Sequence, residues 1–239
     1  MPALGEAGTM ETTGSLYCPV AMAAHILEPR WTMLVLCELT SGARRFSEIQ
    51  KALPAMSPSL LTRRLRELRD HGMVERHEGA DGQIAYMPTG RAEALAPVLE
   101  ALGRWAHAHV DLDVQLRDID ERPMMWAIRR KLAVRALPRA RATIRFRLRR
   151  SCGESVDYWI VARPNVETDL CSVDPRQEVD LYVAAELRAF TAAWMGHTTF
   201  AAEIEAGRIE LIGDAAMASA LSRWLIRSSF AGDPAPKAA

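Results

Sequence analysis

The fold of the amino-terminal half is decided by residues 57–72, which read SPSLLTRRLRELRDHG. Ser57 followed by Pro58 is a typical helix start, because a serine hydroxyl can accept from free backbone amides and proline suits the first helical position. Gly72 is a typical helix stop. Between them the apolar residues fall on one helical face, namely Leu60, Leu61, Leu65 and Leu68. The stretch therefore predicts an amphipathic helix with its arginines largely on the other faces.

The segments around this helix predict a winged helix-turn-helix domain. Apolar spacing predicts earlier helices over residues 17–27, 31–40 and 46–53, and we expect the second of these to be buried on most sides. After the decisive helix, two short extended segments at 74–77 and 84–87 are joined by a loop containing Asp81-Gly82, a hairpin signal. A long helix over about 89–110 follows, and its apolar residues predict a homodimer interface: Leu95, Val98, Leu102, Trp105 and Val110.

The side chains of this domain fit the chemistry of DNA binding. A helix that enters the major groove needs short polar residues near its start and long cations that reach guanine edges or phosphates. The candidates for that role are Ser57, Ser59, Thr62, Arg63 and Arg64. Helix starts suit phosphate anchoring, which adds Arg30, Arg44 and Arg45, and the wing adds His77 and Gln83. The alternative is a solvated helix face with internal pairs such as Arg63 with Glu67 and Arg66 with Asp70.

Several separated blocks resemble the HxlR-type branch of winged-helix regulators over residues 17 to about 110. They are Cys18-Pro19-Val20, Arg30-Trp31-Thr32, the RFSEI of 45–49, the MSPSLLTRRLREL of 56–68, the GMVER of 72–76 and the YMPTGR of 86–91. The chain departs from the family where Glu28-Pro29 replaces the usual glycines. The resemblance implies a DNA-binding transcriptional regulator, in which the position of Cys18 can act as a redox sensor.

The carboxy-terminal half predicts a separate α+β domain with an antiparallel sheet covered by helices. Residues 111–150 are basic, with 12 Lys and Arg against 5 Asp and Glu, although the formal net charge of the whole chain is zero. Strict alternation over 142–149 predicts a strand with Arg145, Arg147 and Arg149 on its outer face, where they contact DNA or keep the sheet soluble. Further strands are predicted near 156–163, 166–173, 179–184 and 209–212. The predicted organisation is a flexible tail over 1–15, a DNA-binding and dimerisation domain over 16–112, a linker over 113–124, a ligand-binding domain over 125–230 and a tail over 231–239.

The order of elements after residue 125 resembles the sterol carrier protein 2 family. The similarity rests on a helix ending in Trp194-Met195-Gly196, the Gly207-Arg208-Ile209 block, and Gly213-Asp214 before a final helix with Leu221 and Trp224. It implies a sheet and helices around a site for an apolar or lipid-like small molecule, without catalytic residues. The candidate lining is Trp126, Phe146, Trp159, Phe190, Trp194, Met195, Met217, Leu221 and Trp224. Aromatic and methionine side chains at these spacings also fill ordinary cores.

Other classes of function find little support in the sequence. We expect no enzyme, cofactor or metal site, because phosphate loops, HExxH, serine elbows and paired-cysteine ligand sets are missing. We expect a cytoplasmic protein with no membrane partner, since no apolar run approaches about 18 residues and the first fifteen residues do not read as a signal peptide. Cys18 stands before the first helix, where a thiol is more readily ionised, and is either a redox sensor or a small buried residue at the dimer seam. The competing function is a lipid carrier without specific DNA binding.

Overall fold

The computed structural model describes residues 18–79 and 82–231. The predicted tail over 1–15, residues 232–239 of the second tail and Asp81 of the predicted hairpin lie outside the described residues. The chain divides into two compact units, residues 1–49 with 56–96 and residues 50–55 with 97–239. The predicted domain limits stay a prediction, and each unit is described separately.

The first unit contains four helices, a two-stranded hairpin and the start of a long helix. Its elements are α1 (Pro19–Leu27), α2 (Thr32–Thr40), α3 (Phe46–Ala52), α4 (Pro58–Asp70), β1 (Val74–Glu78), β2 (Ile84–Pro88) and α5 (Gly90–His109), of which α3 and α5 continue into the second unit. The strands β1 and β2 pair antiparallel, with Arg76 opposite Tyr86. This is the predicted order of a helix-turn-helix followed by a wing.

The two amino-terminal helices leave much apolar surface exposed. On α2, Val35, Leu36 and Leu39 are fully buried, whereas Met33 is 38% and Leu34 48% exposed. The prediction that α2 is buried on most sides is therefore wrong, because a single face supplies its core residues. The helix α1 has no buried residue at all.

The second unit is built on a five-stranded sheet. After α6 (Leu112–Gln115), α7 (Glu121–Lys131) and a 3-10 turn at Val134–Ala136, the strands β3 (Ala142–Arg149), β4 (Ser155–Ala162), β5 (Asp169–Cys171) and β6 (Leu181–Glu186) follow. The unit ends with α8 (Leu187–Met195), α9 (Phe200–Glu205), β7 (Ile209–Gly213), α10 (Ala215–Ser219) and α11 (Leu221–Trp224). Along the sheet the strand order is β5-β4-β3-β6-β7.

This sheet is mixed, which corrects the prediction of an antiparallel sheet. The strands β3 and β6 run parallel, while the other three pairings are antiparallel. Asp180 fixes the parallel pair: its carboxylate accepts from the Thr143 amide at 2.8 Å, and its own amide donates to the Thr143 carbonyl at 2.9 Å. Both strands therefore begin at the same end of the sheet and run in the same direction.

The helices cover one face of the sheet. Ile144, Phe146 and Leu148 of β3 are fully buried in one core with residues of α7, α8 and α11. On the other face Arg145 and Arg147 share the carboxylate of Asp157, each at 3.1 Å, and Arg149 pairs with Glu186 at 2.7 Å. Burial would raise the pKa of Asp157, but the hydrogen bonds from the two arginines hold it below its usual value. The arginine row is thus paired with carboxylates of the neighbouring strands.

The second half of α5 packs into the second unit along one face only. The His107 ring stacks on His197 at 4.1 Å, and Gly103 lies so close to the Phe230 ring that a side chain at position 103 would not fit. Burial, followed by the neighbouring His107, lowers the pKa of His197. These contacts leave another face of the helix exposed. In the described part of the chain no single helix is long and apolar enough to cross a membrane, although α1 and α2 together, with a bend of 87° between them, have that length and apolar composition.

Candidate nucleic-acid interface

The helix α4 has one buried and one cationic face. Ser57 caps its start, where the hydroxyl accepts from the Leu60 amide at 3.3 Å. The core face is formed by Leu61, Leu65 and Leu68, each 1% exposed or less. The solvent face carries hydroxyls at its start and arginines beyond them, at Ser59, Thr62, Arg63, Arg66 and Arg69.

The hydroxyls at the start of α4 retain hydrogen-bonding capacity. Thr62 donates its hydroxyl hydrogen to the Pro58 carbonyl at 2.9 Å, and its oxygen lone pairs remain available to accept. The Ser57 and Ser59 hydroxyls lie 3.2 Å apart. Such groups can accept from the exocyclic amino groups of cytosine or adenine in the major groove.

Arg64 does not lie on the cationic face. Its side chain is 9% exposed, its Nε donates to the Arg30 carbonyl at 3.0 Å, and its guanidinium pairs with Glu67. The prediction that Arg64 contacts DNA from a solvent face is therefore wrong. The residue follows Arg63 by one position, which rotates it about 100° around the helix and into the core side. It ties α4 to the turn between α1 and α2.

Two arginines that sequence reasoning did not select lie on the exposed face. Arg66 and Arg69 continue the spacing of Ser59 and Thr62, at intervals of three and four residues, and both are exposed. Within the described residues no ion pair joins Arg66 to Asp70, whereas Arg63 makes an exposed contact with Glu67 at 3.8 Å. The same helical spacing that predicted the core face could have selected them.

The predicted phosphate anchors differ in availability. The Arg44 guanidinium donates to the Leu39 and Ala43 carbonyls and so caps the end of α2. The backbone amides of Arg44 and Arg45 both donate to the Glu48 carboxylate, at 2.8 and 2.9 Å. These amides are therefore not free for phosphate, and of the anchoring predicted at this helix start only the side chains remain available. The side chains of Arg45 and Arg30 are exposed, and the Arg30 guanidinium lies 5.3 Å from the centre of the Trp31 ring.

The wing is joined to the helical part by a backbone bond. The Tyr86 amide of β2 donates to the Arg44 carbonyl at 2.7 Å, just before α3. On β1 the exposed His77 ring lies 3.0 Å from the Glu75 carboxylate. Gln83 is exposed in the loop, where its carbonyl accepts from Gly79 at 2.8 Å.

The predicted ligand lining forms the core of the second unit instead. Among the cavities of the described part of that unit are two of about 680 and 330 Å³, and none of the nine predicted residues lines either of these. Five pack together in the core, where the Trp224 indole donates to the Met217 carbonyl at 2.9 Å: Phe146, Phe190, Met217, Leu221 and Trp224. The structure therefore corrects the prediction that these residues line a pocket, because apolar contacts between sheet and helices occupy them.

The other four predicted lining residues lie around this core. Trp126 is buried on α7 beside the Arg129 guanidinium, at 4.4 Å. Trp159 is buried on the opposite face of the sheet, 5.1 Å from the Arg145 guanidinium. Half-buried Trp194 and Met195 end α8, and the Trp194 indole donates to the Ile226 carbonyl at 3.1 Å.

The cysteines and possible metal ligands are dispersed. Cys18 is exposed immediately before α1, in an extended backbone conformation and without a capping hydrogen bond from its side chain. Burial, with a smaller effect from Glu38, raises the pKa of the half-buried Cys37. Across residues 18–79 and 82–231, no three His, Cys, Asp or Glu side chains are grouped to hold a metal ion.

Comparison with known proteins places the similarity in the first unit and α5. The HxlR-like helix-turn-helix family model matches residues 26–114. The chain is 39% identical over 97 residues to the uncharacterized HTH-type transcriptional regulator YvaP of Bacillus subtilis, across 39% of this chain and 90% of that protein. It is 32% identical over 96 residues to the HTH-type transcriptional regulator YodB of the same organism, across 39% of this chain and 86% of YodB. The solved structure of reduced YodB aligns with 39% of this chain and 95% of that chain, at 31% identity and a TM-score of 0.36.

The neighbouring arginines of α4 should contribute differently to stability. We expect Arg64→Ala to lower the free energy of unfolding by about 1.5 to 3 kcal/mol, because the Arg30 carbonyl and Glu67 lose a buried charged donor. Arg63→Ala should cost less than about 0.5 kcal/mol, because its ion pair is exposed. Urea denaturation followed by circular dichroism measures both. Equal losses in the two variants would contradict the structural role of Arg64.

Proposed function

Because this chain belongs to the HxlR-like helix-turn-helix family of transcriptional regulators, we propose that it binds operator DNA as a homodimer, with α4 in the major groove. The observation that carries this proposal is the exposed face of α4, which combines hydroxyls at the helix start with arginines along its length. The matched family region contains the whole of this face.

Residues on the exposed face have distinct proposed roles. Ser57, Ser59 and Thr62 accept from base amino groups, because short side chains at the start of the helix allow close approach. Arg63 and Arg66 reach guanine edges with paired N–H donors, and Arg69 binds phosphate farther along the helix. The exposed side chains of Arg30 and Arg45 bind phosphate, and His77 and Gln83 do so from the wing.

The proposed dimer forms through α5. Val98, Leu102 and Trp105 fall on one face of this helix and are 57%, 47% and 58% exposed. A contiguous apolar stripe of this kind is typical of an interaction surface. A twofold dimer would place two copies of α4 about 34 Å apart, the spacing of one DNA turn, and would therefore bind an inverted repeat.

The second unit gives the proposed regulator its input. We infer a cytoplasmic protein without catalytic activity, in which an apolar small molecule bound by residues 125–230 alters DNA affinity. The resemblance of this region to the sterol carrier protein 2 family supports a lipid-like ligand. A carrier without specific DNA binding is the competing function, and the family of the first unit argues against it.

Cys18 is a second candidate input. It is exposed and immediately precedes α1, so an oxidant can reach the thiol. Because α1 carries the exposed apolar residues Val20 and Met22, a modification at its start would act on a surface able to contact another subunit.

DNA binding is tested with DNA from upstream of the protein's own gene. We expect Arg63→Ala and Arg66→Ala to weaken binding by about 1 to 3 kcal/mol each if they contact bases. Arg66→Lys should retain the charge but lose paired guanine contacts, so its specificity should fall more than its affinity for random DNA. Fluorescence anisotropy over a series of salt concentrations measures both quantities. Arg223→Ala removes an exposed arginine of the second unit and is the control, and unchanged affinity in both α4 variants would refute the assignment.

The dimer interface is tested by placing a charge on the α5 stripe. We expect Trp105→Arg to produce monomers at micromolar concentration, because a guanidinium would be buried without a partner. The control Ala108→Arg changes an exposed position off the stripe and should leave a dimer. Sedimentation equilibrium separates the two outcomes, and a wild-type monomer would remove the dimer from the proposal.

Redox input is tested with the thiol oxidant diamide. If Cys18 is the sensor, diamide should change the operator affinity of the wild type and not that of Cys18→Ser. The matched control is Cys152→Ser, since Cys152 is also exposed but lies in the second unit. A response that survives in Cys18→Ser would assign the oxidation to another residue.

A further inference from the structure

A cleft of about 680 Å³ lies in the second unit, at the edge of its core, to which the lining residue Leu137 belongs. One wall is the segment 134–140, which contains the 3-10 turn and leads to β3, and the other is the turn 163–167, between β4 and β5. The volume falls in the range of small-molecule sites, which is about 300 to 1,000 Å³. The apolar part of its lining includes Val134, Leu137, Pro138, Pro164 and Val166.

Both walls of the cleft are held by hydrogen bonds. The Ala133 amide donates to the Trp224 carbonyl at 3.0 Å, which fixes the start of the first wall against α11. Beyond the second wall, Arg129 donates from Nε to the Thr168 carbonyl at 2.6 Å. Asn165 has a left-handed φ of 59°, which asparagine tolerates in a turn after proline. The cleft is therefore formed before any ligand arrives.

Three arginines line this cleft, and they differ in how far they are already paired. The Arg139 guanidinium binds Asp180 at 2.9 Å and Asp214 at 2.7 Å. Hydrogen bonds from the Met217 amide and from Arg139 hold the pKa of Asp214 below its usual value. Arg139 is therefore neutralised and serves to hold the wall.

The other two arginines have donors to spare. Arg163 lies 3.9 Å from Asp169, at the limit of an ion pair and without a hydrogen bond between them. The Arg135 side chain is exposed, and within the described ranges it makes no ion pair or hydrogen bond. The lining carboxylate Glu167 pairs with Arg129, so it does not neutralise them. The cleft thus combines a partly apolar lining with two available guanidinium groups.

We propose that this cleft binds a small molecule with an apolar body and an anionic headgroup, which Arg135 and Arg163 hold. The inference rests on the proposed function, because it gives the ligand of that regulator a location and a charge. Guanidinium groups recognise carboxylates and phosphate esters through paired hydrogen bonds, and the apolar lining covers the rest of the molecule. A DNA backbone fits less well, because a phosphodiester would leave the apolar lining uncovered.

The test uses the full-length protein and three probes with the same ten-carbon chain. Isothermal titration with decanoate, 1-decanol and decylamine compares an anionic, a neutral and a cationic headgroup. We expect decanoate to bind at least about tenfold more tightly than the other two, the gain typical of a charged hydrogen bond. The double variant R135Q/R163Q should lose that gain, and R223Q, which removes an exposed arginine elsewhere in the unit, should keep it.

Three results would overturn the proposal. Equal affinities for decanoate and 1-decanol would show that no cation holds the headgroup. Competition by inorganic phosphate as strong as by decanoate would reveal a simple anion site. A loss of DNA affinity in R135Q/R163Q without ligand would show that these arginines contact DNA. The titrations contain no DNA, so a failure of DNA binding in the wild type would leave the result for the cleft unaffected.

Discussion

The burial of Leu61, Leu65 and Leu68 is the constraint on which the first unit depends. A helix has one orientation once three leucines along its length are fixed in a core, and every other side chain on α4 then has a set direction. The leucines therefore determine that Ser59, Thr62 and Arg66 lie in solvent. The proposed DNA-contacting surface is therefore a consequence of the core.

Local periodicity made a large part of this fold predictable. The limits of β3 agree with its strict alternation, and α4 begins at Pro58 and ends two residues before Gly72, close to its predicted start and stop, because these patterns depend only on neighbouring residues. Arg64 could not be placed in the same way: its partner is a backbone carbonyl 34 residues earlier, and no spacing rule contains that contact. The parallel pairing of β3 and β6 escaped for the same reason, since it depends on the bond between Asp180 and Thr143 across the sheet.

In the second unit, neither the aromatic residues nor the number of arginines predicted where a ligand could bind. Phe146, Phe190 and Trp224 were candidates for a ligand wall, but large apolar side chains that face a sheet release most free energy when they pack on one another. The cleft at 134–140 and 163–167 is lined by loops, which have no periodic signal, so its members could not be recognised from sequence. The excess of arginines in this region did not identify a binding surface either, because most arginines of β3 and its neighbours are paired with nearby carboxylates.

The hydrogen bond from the Tyr86 amide to the Arg44 carbonyl fastens β2 to the segment that leads into α3. A wing attached only through its own hairpin would have many orientations, and binding DNA would have to select one of them. Here that ordering has already occurred during folding, so the loss of conformational entropy on association is smaller. If α4 enters the major groove as proposed, the position of the wing relative to that helix is then a property of the free protein, set before DNA is bound.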